Sequence, residues 1–338
     1  MFDFFEGLIE NLGIKLISDF SSKLIDFVKE VKENSTGDNN DLGKDYAQIG
    51  SSGDYAQIGS SGYGAQIGSS GYGAQIGSSG NYAQIGSSGD RAQIGSSGNY
   101  AQIGSSGDIA QIGSSGDDAQ IDINGNNSIG FACGFKTIIK AKKGTWISLA
   151  EYGKNEDDNI IPIFAKSAQI GNKDYTDYKG KELEENTYYI LWKKEFYPVA
   201  EYDGIWTIIL LEKNRENIKI IKAIDTRDLL DKEIKEIYIA QEGELSAHGY
   251  TIREAVEDLK FKKMKNVNID EIVAEIKKTG KVTRSQYRAI TGACSFGTEQ
   301  FCKQHNIQDL EEIELEELRK ILINDYGAEK FWSLVDKE

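Results

Sequence analysis

"AQIGSSGDYAQIGSSGYGAQIGSSGYGAQIGSSGNYAQI", residues 47–85, says nearly the same thing every nine residues. Ala-Gln-Ile begins at Ala47, Ala56, Ala65, Ala74, Ala83, Ala92, Ala101, Ala110 and Ala119, without insertion or deletion. Eight of the nine copies continue into Gly-Ser-Ser-Gly, and the ninth decays to Asp122-Ile123-Asn124-Gly125. So strict a period implies one structural unit per repeat, stacked on its neighbours. In an extended triplet Ala and Ile face one way and Gln the other. Gly-Ser-Ser-Gly then turns the chain, its glycines expected to supply positive φ and its serines local hydrogen bonds. One strand per repeat does not close a coil. Two facing units do, with Ala and Ile stacked inside, which predicts a β-solenoid of roughly four or five rungs at about 4.8 Å each.

Working outward, the chain has 338 residues, enough for two or three domains with cores. It holds 36 glycines and only two prolines, a balance that suits hydrogen-bonded tight turns better than a flexible linker. The net charge of −15 argues against a broad nucleic-acid-binding face. Cys133, Cys294 and Cys302 form no CxxC pair, so reduced thiols and a cytoplasmic setting are expected. The start, MFDFFEGLIENLG, lacks the basic and apolar regions of a signal peptide. No apolar run is long enough to span a membrane, so no membrane association is expected.

The period resembles that of calcium-binding nonapeptide rolls, which place an Asp at a fixed turn position. Here the two variable places hold pairs such as Asp54-Tyr55, Tyr63-Gly64, Asn81-Tyr82, Asp90-Arg91 and Asp117-Asp118. Acidic residues recur without forming a ligand ladder, so no calcium is expected. Tyr46, Tyr55, Tyr63, Tyr72, Tyr82 and Tyr100 either cover turns or form an exposed aromatic row for binding.

Four segments follow from composition: an amphipathic helix and linker over 1–43, the solenoid over 44–135, a β-rich module over 136–245 and a helical domain over 246–338. In the first, Phe5, Ile9, Leu12, Leu16, Phe20, Leu24, Phe27 and Val31 follow helical spacing, a stripe that either caps its own chain or mediates self-association into a homo-oligomer. In the third, NTYYILWKKEFYPVAEYDGIWTIILLE and NIKIIKAID read as antiparallel strands. In the fourth, Thr251 and Glu254 stand at capping-box spacing before an apolar stripe, and four further helices follow.

Residues that carry chemistry are sparse. His248 and His305 have no second histidine or cysteine at ligand spacing, and both read as turn or cap residues. No nucleophile elbow and no phosphate loop occur. The expectation is a protein without catalytic residues, metal or cofactor. Lys277, Lys278, Lys281, Arg284 and Arg288 flank a helix–turn–helix-like pair with Gly292 and Gly297 near the turn, and together with Trp332 they are the candidate partner contacts.

The AQIGSSG repeats running into KAKKGTWISLAEY, with the GKVTRSQYRAITGAC region, resemble a group of uncharacterised phage and prophage proteins of Gram-positive bacteria. That resemblance implies a phage origin and action in the host cell cytoplasm. A shorter stretch, IYIAQEGELSAHGYTIREAVEDL, is similar to the strand-to-helix step of HicB-type antitoxins around His248, Gly249, Thr251, Glu254 and Ala255. The resulting expectation is a modular, non-enzymatic protein of mixed β and α structure that engages a host protein or complex. It would occlude a surface of a bacterial defence system, with the solenoid as rigid scaffold. Two alternatives stand beside it: a nucleic-acid-binding regulator acting through 277–305, and a virion structural component.

Overall fold

Each repeat forms one four-residue strand: β1 (Gln48–Ser51), β2 (Gln57–Ser60), β3 (Gln66–Ser69), β4 (Gln75–Ser78), β5 (Gln84–Ser87), β6 (Gln93–Ser96), β7 (Gln102–Ser105), β8 (Gln111–Ser114) and β9 (Gln120–Ile123). In this computed structural model, odd strands pair in parallel with odd and even with even, Gln48 opposite Gln66 and Gln57 opposite Gln75. A rung therefore contains two repeats, and Ala and Ile of both ladders fill one continuous core. The structure describes residues 43–215, 217–231, 233–263, 268–310, 312–323 and 325–336. The Phe5–Val31 stripe lies outside them.

The coil outlasts its motif. β10 (Ile129–Ala132) and β11 (Ile138–Ala141) hold the same register, Ile129 opposite Gln111 and Ile138 opposite Gln120, and β12 (Trp146–Lys154) adds a further parallel strand. The result is about six turns rather than four or five, because inward positions accept any apolar side chain once the rung spacing is kept. Antiparallel strands then close both ladders: β13 (Ile160–Gln169) pairs with β12, and β14 (Tyr188–Trp192) with β11, followed by β15 (Glu195–Tyr202). The even-strand sheet then ends at β13, where Pro162 has no backbone N–H to offer another chain.

The glycines act differently from expectation. Positive φ falls at the second variable position, at Tyr46, Tyr55, Gly64, Gly73, Tyr82, Arg91 and Tyr100, and at none of the Gly-Ser-Ser-Gly glycines. The second glycine of the tetrapeptide is required by close approach instead: a Cβ on Gly80 would overlap the carbonyl oxygen of Gly62 in the rung beside it. The first variable position carries a ladder of its own. Asp45, Asp54, Asn81, Asp90, Asn99, Asp108 and Asp117 each accept a hydrogen bond from the backbone N–H one rung later, at 2.7–2.9 Å. Recurrent Asp and Asn are thus rung-to-rung caps.

Of the described residues, those from 43 to 199 form one compact unit and those from Ala200 on form a second. In the second, β16 (Ile205–Arg215), β17 (Ile218–Asp225), β18 (Glu236–Glu242) and β19 (Leu245–Gly249) make an antiparallel meander. Helix α1 (Ile252–Lys263) begins at the expected box: Thr251 Oγ1 accepts from the Glu254 N–H and the Glu254 carboxylate from the Thr251 N–H. It packs Ala255 and Leu259 against Ile237, Ile239 and Ala247. A second core gathers Ile276, Ile290, Leu318 and Phe331 from α2 (Ile269–Thr279), α3 (Arg284–Thr291), α5 (Leu315–Ile321) and α6 (Ala328–Val335), with α4 (Ser295–Gln304) between α3 and α5 in the chain. The last expected helix is split into α5 and α6. Leu322 leaves helical backbone and Gly327 takes φ 80° before α6. A two-stranded ribbon, β20 (Lys281–Thr283) with β21 (Glu312–Glu314), had no signal in the sequence.

Candidate binding surface and buried cluster

On the odd-strand sheet the outward positions of Gln-Ile-Gly-Ser are Gln and Gly. Gly50, Gly68, Gly86 and Gly104 have no atom near the place of a Cβ, so this face is a flat trough of backbone beside a glutamine ladder. The trough is an open groove of about 750 Å³, ending at Asp122 and Tyr188. Along the edge where the odd strands begin stands a row of rings. Centroids of Tyr46 and Tyr63 lie 5.6 Å apart, Tyr63 and Tyr82 5.1 Å, Tyr82 and Tyr100 4.7 Å, the last pair stacked within 10°. All four are exposed, Tyr46 at 70%. Gly64 takes the left-handed position in its repeat, and a Cβ there would strike the Tyr46 ring. Asp118, with burial second, pushes the Tyr100 phenol above its ordinary value. A shorter row, Tyr55 with Tyr72 at 5.6 Å and Arg91 over Tyr72, marks the opposite edge.

The second unit holds a cluster with different chemistry. Asp203 and Gly204 form the two-residue turn between β15 and β16, both at positive φ, the conformation that Asp-Gly hairpin loops adopt. Asp203 points inward: its Oδ1 lies 2.5 Å from Lys262 Nζ, and Lys262 also donates to the Ser246 carbonyl at 2.9 Å. His248, fully buried in β19 rather than in a turn or cap, places Nδ1 3.7 Å from Asp203 Oδ2 and 3.9 Å from Cys294 Sγ. Cys294 is the N-cap of α4, its sulfur accepting from the Gly297 N–H at 3.2 Å. Asp203 and Cys294 line a cleft of about 240 Å³ with Arg227, Gln304, Asp325 and Tyr326.

Burial, reinforced by Asp203, pushes the Cys294 thiol up to about 11. Burial alone would raise Asp203 too, but His248 and Lys262 outweigh it and hold the carboxyl below its ordinary value. A thiol that remains protonated at neutral pH is a poor nucleophile. Sulfur and carboxylate also address the same imidazole nitrogen, so the ring is not placed to pass a proton between them through its two nitrogens. The cluster is unsuited to cysteine-based acyl transfer. As ligands, Asp203, His248 and Cys294 are a mixed oxygen, nitrogen and sulfur set within 4.8 Å of one another.

The basic residues singled out in the sequence are largely internal cross-links. Lys281 pairs with Glu312 and Glu314, and Arg284 donates to the carbonyls of Gln308 and Leu310. Arg288 reaches Asp258 at 2.6 Å and the Ala293 carbonyl at 3.2 Å, while Asp258 also accepts from Ser295 at the start of α4. Lys277 and Lys278 are exposed in the last turn of α2. Trp332 is half-buried, donating to the Leu322 carbonyl at 3.0 Å beneath Arg319. Gly292 ends α3 in the left-handed region, Gly297 lies inside α4, and His305 is the C-cap of α4.

The Asp203–His248–Cys294 cluster escaped the sequence reading because its members stand far apart in the chain; only the Asp-Gly hairpin signal in EYDGIW was local. Among the described residues no helix is long and apolar enough to cross a membrane. No protein-family model matches this chain, and no curated protein or solved structure matches it either.

Proposed function

We propose that this chain is a non-enzymatic binding protein whose contact surface is the odd-strand face of the solenoid, not the basic helices of the second unit. The observation that carries this reading is the four-ring row of Tyr46, Tyr63, Tyr82 and Tyr100 beside the glutamine–glycine trough. Tyrosines held in a stack lose little conformational freedom on binding, and they are the side chains interfaces favour. The turn carboxylates around them favour a neutral or basic polypeptide surface as partner. Internal pairing of Lys281, Arg284 and Arg288 weighs against the nucleic-acid alternative. The resemblance to phage and prophage proteins supports a host macromolecule as the target, engaged by occlusion of its surface, as in inhibition of a defence system.

The test is capture from a Gram-positive cell lysate with the intact chain, Tyr63→Ser/Tyr82→Ser/Tyr100→Ser, and Lys278→Glu. A prey retained in stoichiometric amount by the parent and by Lys278→Glu, but lost from the tyrosine variant, supports the reading. Retention by the tyrosine variant, or a salt-dependent shift of DNA or RNA by the parent, overturns it.

A further inference from the structure

The geometry points to a binding site for one divalent transition metal of the zinc class, formed by Asp203 Oδ2, His248 Nδ1 and Cys294 Sγ, with its fourth position open to the adjoining cleft. This goes beyond the surface reading above and does not rest on it.

Three observations carry the inference. The first is donor type: a carboxylate oxygen, an imidazole nitrogen and a sulfur, drawn from a turn, a strand and a helix cap, converge within 4.8 Å. A mixed hard and soft set of this kind suits Zn²⁺ better than Mg²⁺ or Ca²⁺, which take oxygen ligands. The second is spacing. Around a tetrahedral zinc, nitrogen, oxygen and sulfur ligands stand about 3.3–3.6 Å apart. Here Nδ1 lies 3.7 Å from Oδ2 and 3.9 Å from Sγ, so small side-chain rotations bring the three to coordinating distance. The third is the imidazole itself. His248 is 0% exposed, its Nδ1 faces Asp203 and Cys294 at these distances, and among the described residues its Nε2 has no hydrogen-bond partner. Both Nδ1 contacts are long, so in the tautomer that carries its proton on Nε2 this nitrogen keeps a lone pair for a metal.

The surroundings fit the role. Lys262 holds Oδ1, leaving Oδ2 directed at His248, which is how an outer partner orients a metal-bound carboxylate. The Gly297 N–H already points at the sulfur and would stabilise a thiolate there. On binding, the Cys294 S–H bond breaks, its proton passes to solvent, and the sulfur electron pair forms the bond to the metal. Asp203 and Cys294 both border the 240 Å³ cleft, so water or a small anionic ligand can complete the tetrahedron.

The test is titration of reduced full-length protein with Co²⁺. The expected result is a thiolate-to-cobalt absorption band in the near ultraviolet that saturates at one equivalent and is displaced by Zn²⁺. The band should persist in Cys133→Ser and Cys302→Ser, disappear in Cys294→Ser, and need at least about tenfold more metal in His248→Gln. No band in the parent protein, or a band that survives Cys294→Ser, overturns the site. Should Cys294→Ser fail to fold, alkylation of the parent protein decides: Zn²⁺ must slow modification of Cys294 at least tenfold relative to Cys302, and equal rates reject the proposal.

Discussion

In the solenoid each strand residue of the intact repeats meets its own copy one rung away; in the second unit nearly every decisive contact joins unlike residues far apart in the chain. Gln48 faces Gln66, Ile67 faces Ile85, and the Asp45 carboxylate caps the rung that follows. By contrast Asp203 meets Lys262, Arg288 meets Asp258, and His248 meets Cys294. The difference is one of offset. A fixed period turns tertiary contacts into a sequence pattern, whereas the second unit's contacts exist only once its sheet and helices have assembled.

The largest expected effect breaks the first region. Ile85→Asp puts an unpaired carboxylate between Ile67 and Ile103 and should remove about 4 kcal/mol or more, seen as loss of the strand signal in circular dichroism at 25 °C. Retained strand content would mean that neighbouring rungs do not share one core. Next, Asp203→Asn strands the Lys262 ammonium, whose side chain is only 6% exposed, and should cost about 3–5 kcal/mol in denaturant unfolding. An effect confined to the first unit's transition would refute the assignment of this pair to the second unit's interior.

A matched pair of glycines sharpens the contrast within the repeat. Gly80→Ala should destabilise by roughly 3 kcal/mol, because its methyl group meets backbone that cannot yield. Gly86→Ala, facing open space in the trough, should change stability by less than about 0.5 kcal/mol. Equal effects would mean that the two glycines serve the same purpose. The smallest effect concerns Asp118, whose carboxyl burial raises, opposed by Lys136 and assisted by Asp117. A raised folded value favours the native state while the group is protonated, below the unfolded value near 3.9. That contribution disappears as pH rises through the folded value. Asp118→Asn should therefore raise the melting temperature by about 1–2 °C at pH 7 and by nothing below about pH 3.5. A gain independent of pH would trace to backbone preference at φ 54° instead.

The repeat alone determined the solenoid, the two-repeat rung and the inward Ala and Ile, because each requires only the period and the alternation of an extended chain. Thr251 and Glu254 likewise announced the start of α1, since a capping box is complete within four residues. Other features were written locally but were misread. The close-approach glycine persists at Gly134, in a unit that has lost Ala-Gln-Ile, and it marks a continuation of the coil that the motif count missed. Tertiary structure alone decided the rest. Arg284 and Arg288 read as a basic face until their partners Gln308, Leu310 and Asp258 came into reach. Asp203, His248 and Cys294 carry no shared spacing, and only the packing of a hairpin turn, a strand and a helix cap brings them together. A residue's neighbours follow from sequence when chain geometry fixes the offset between them, and otherwise from which surfaces the whole chain buries.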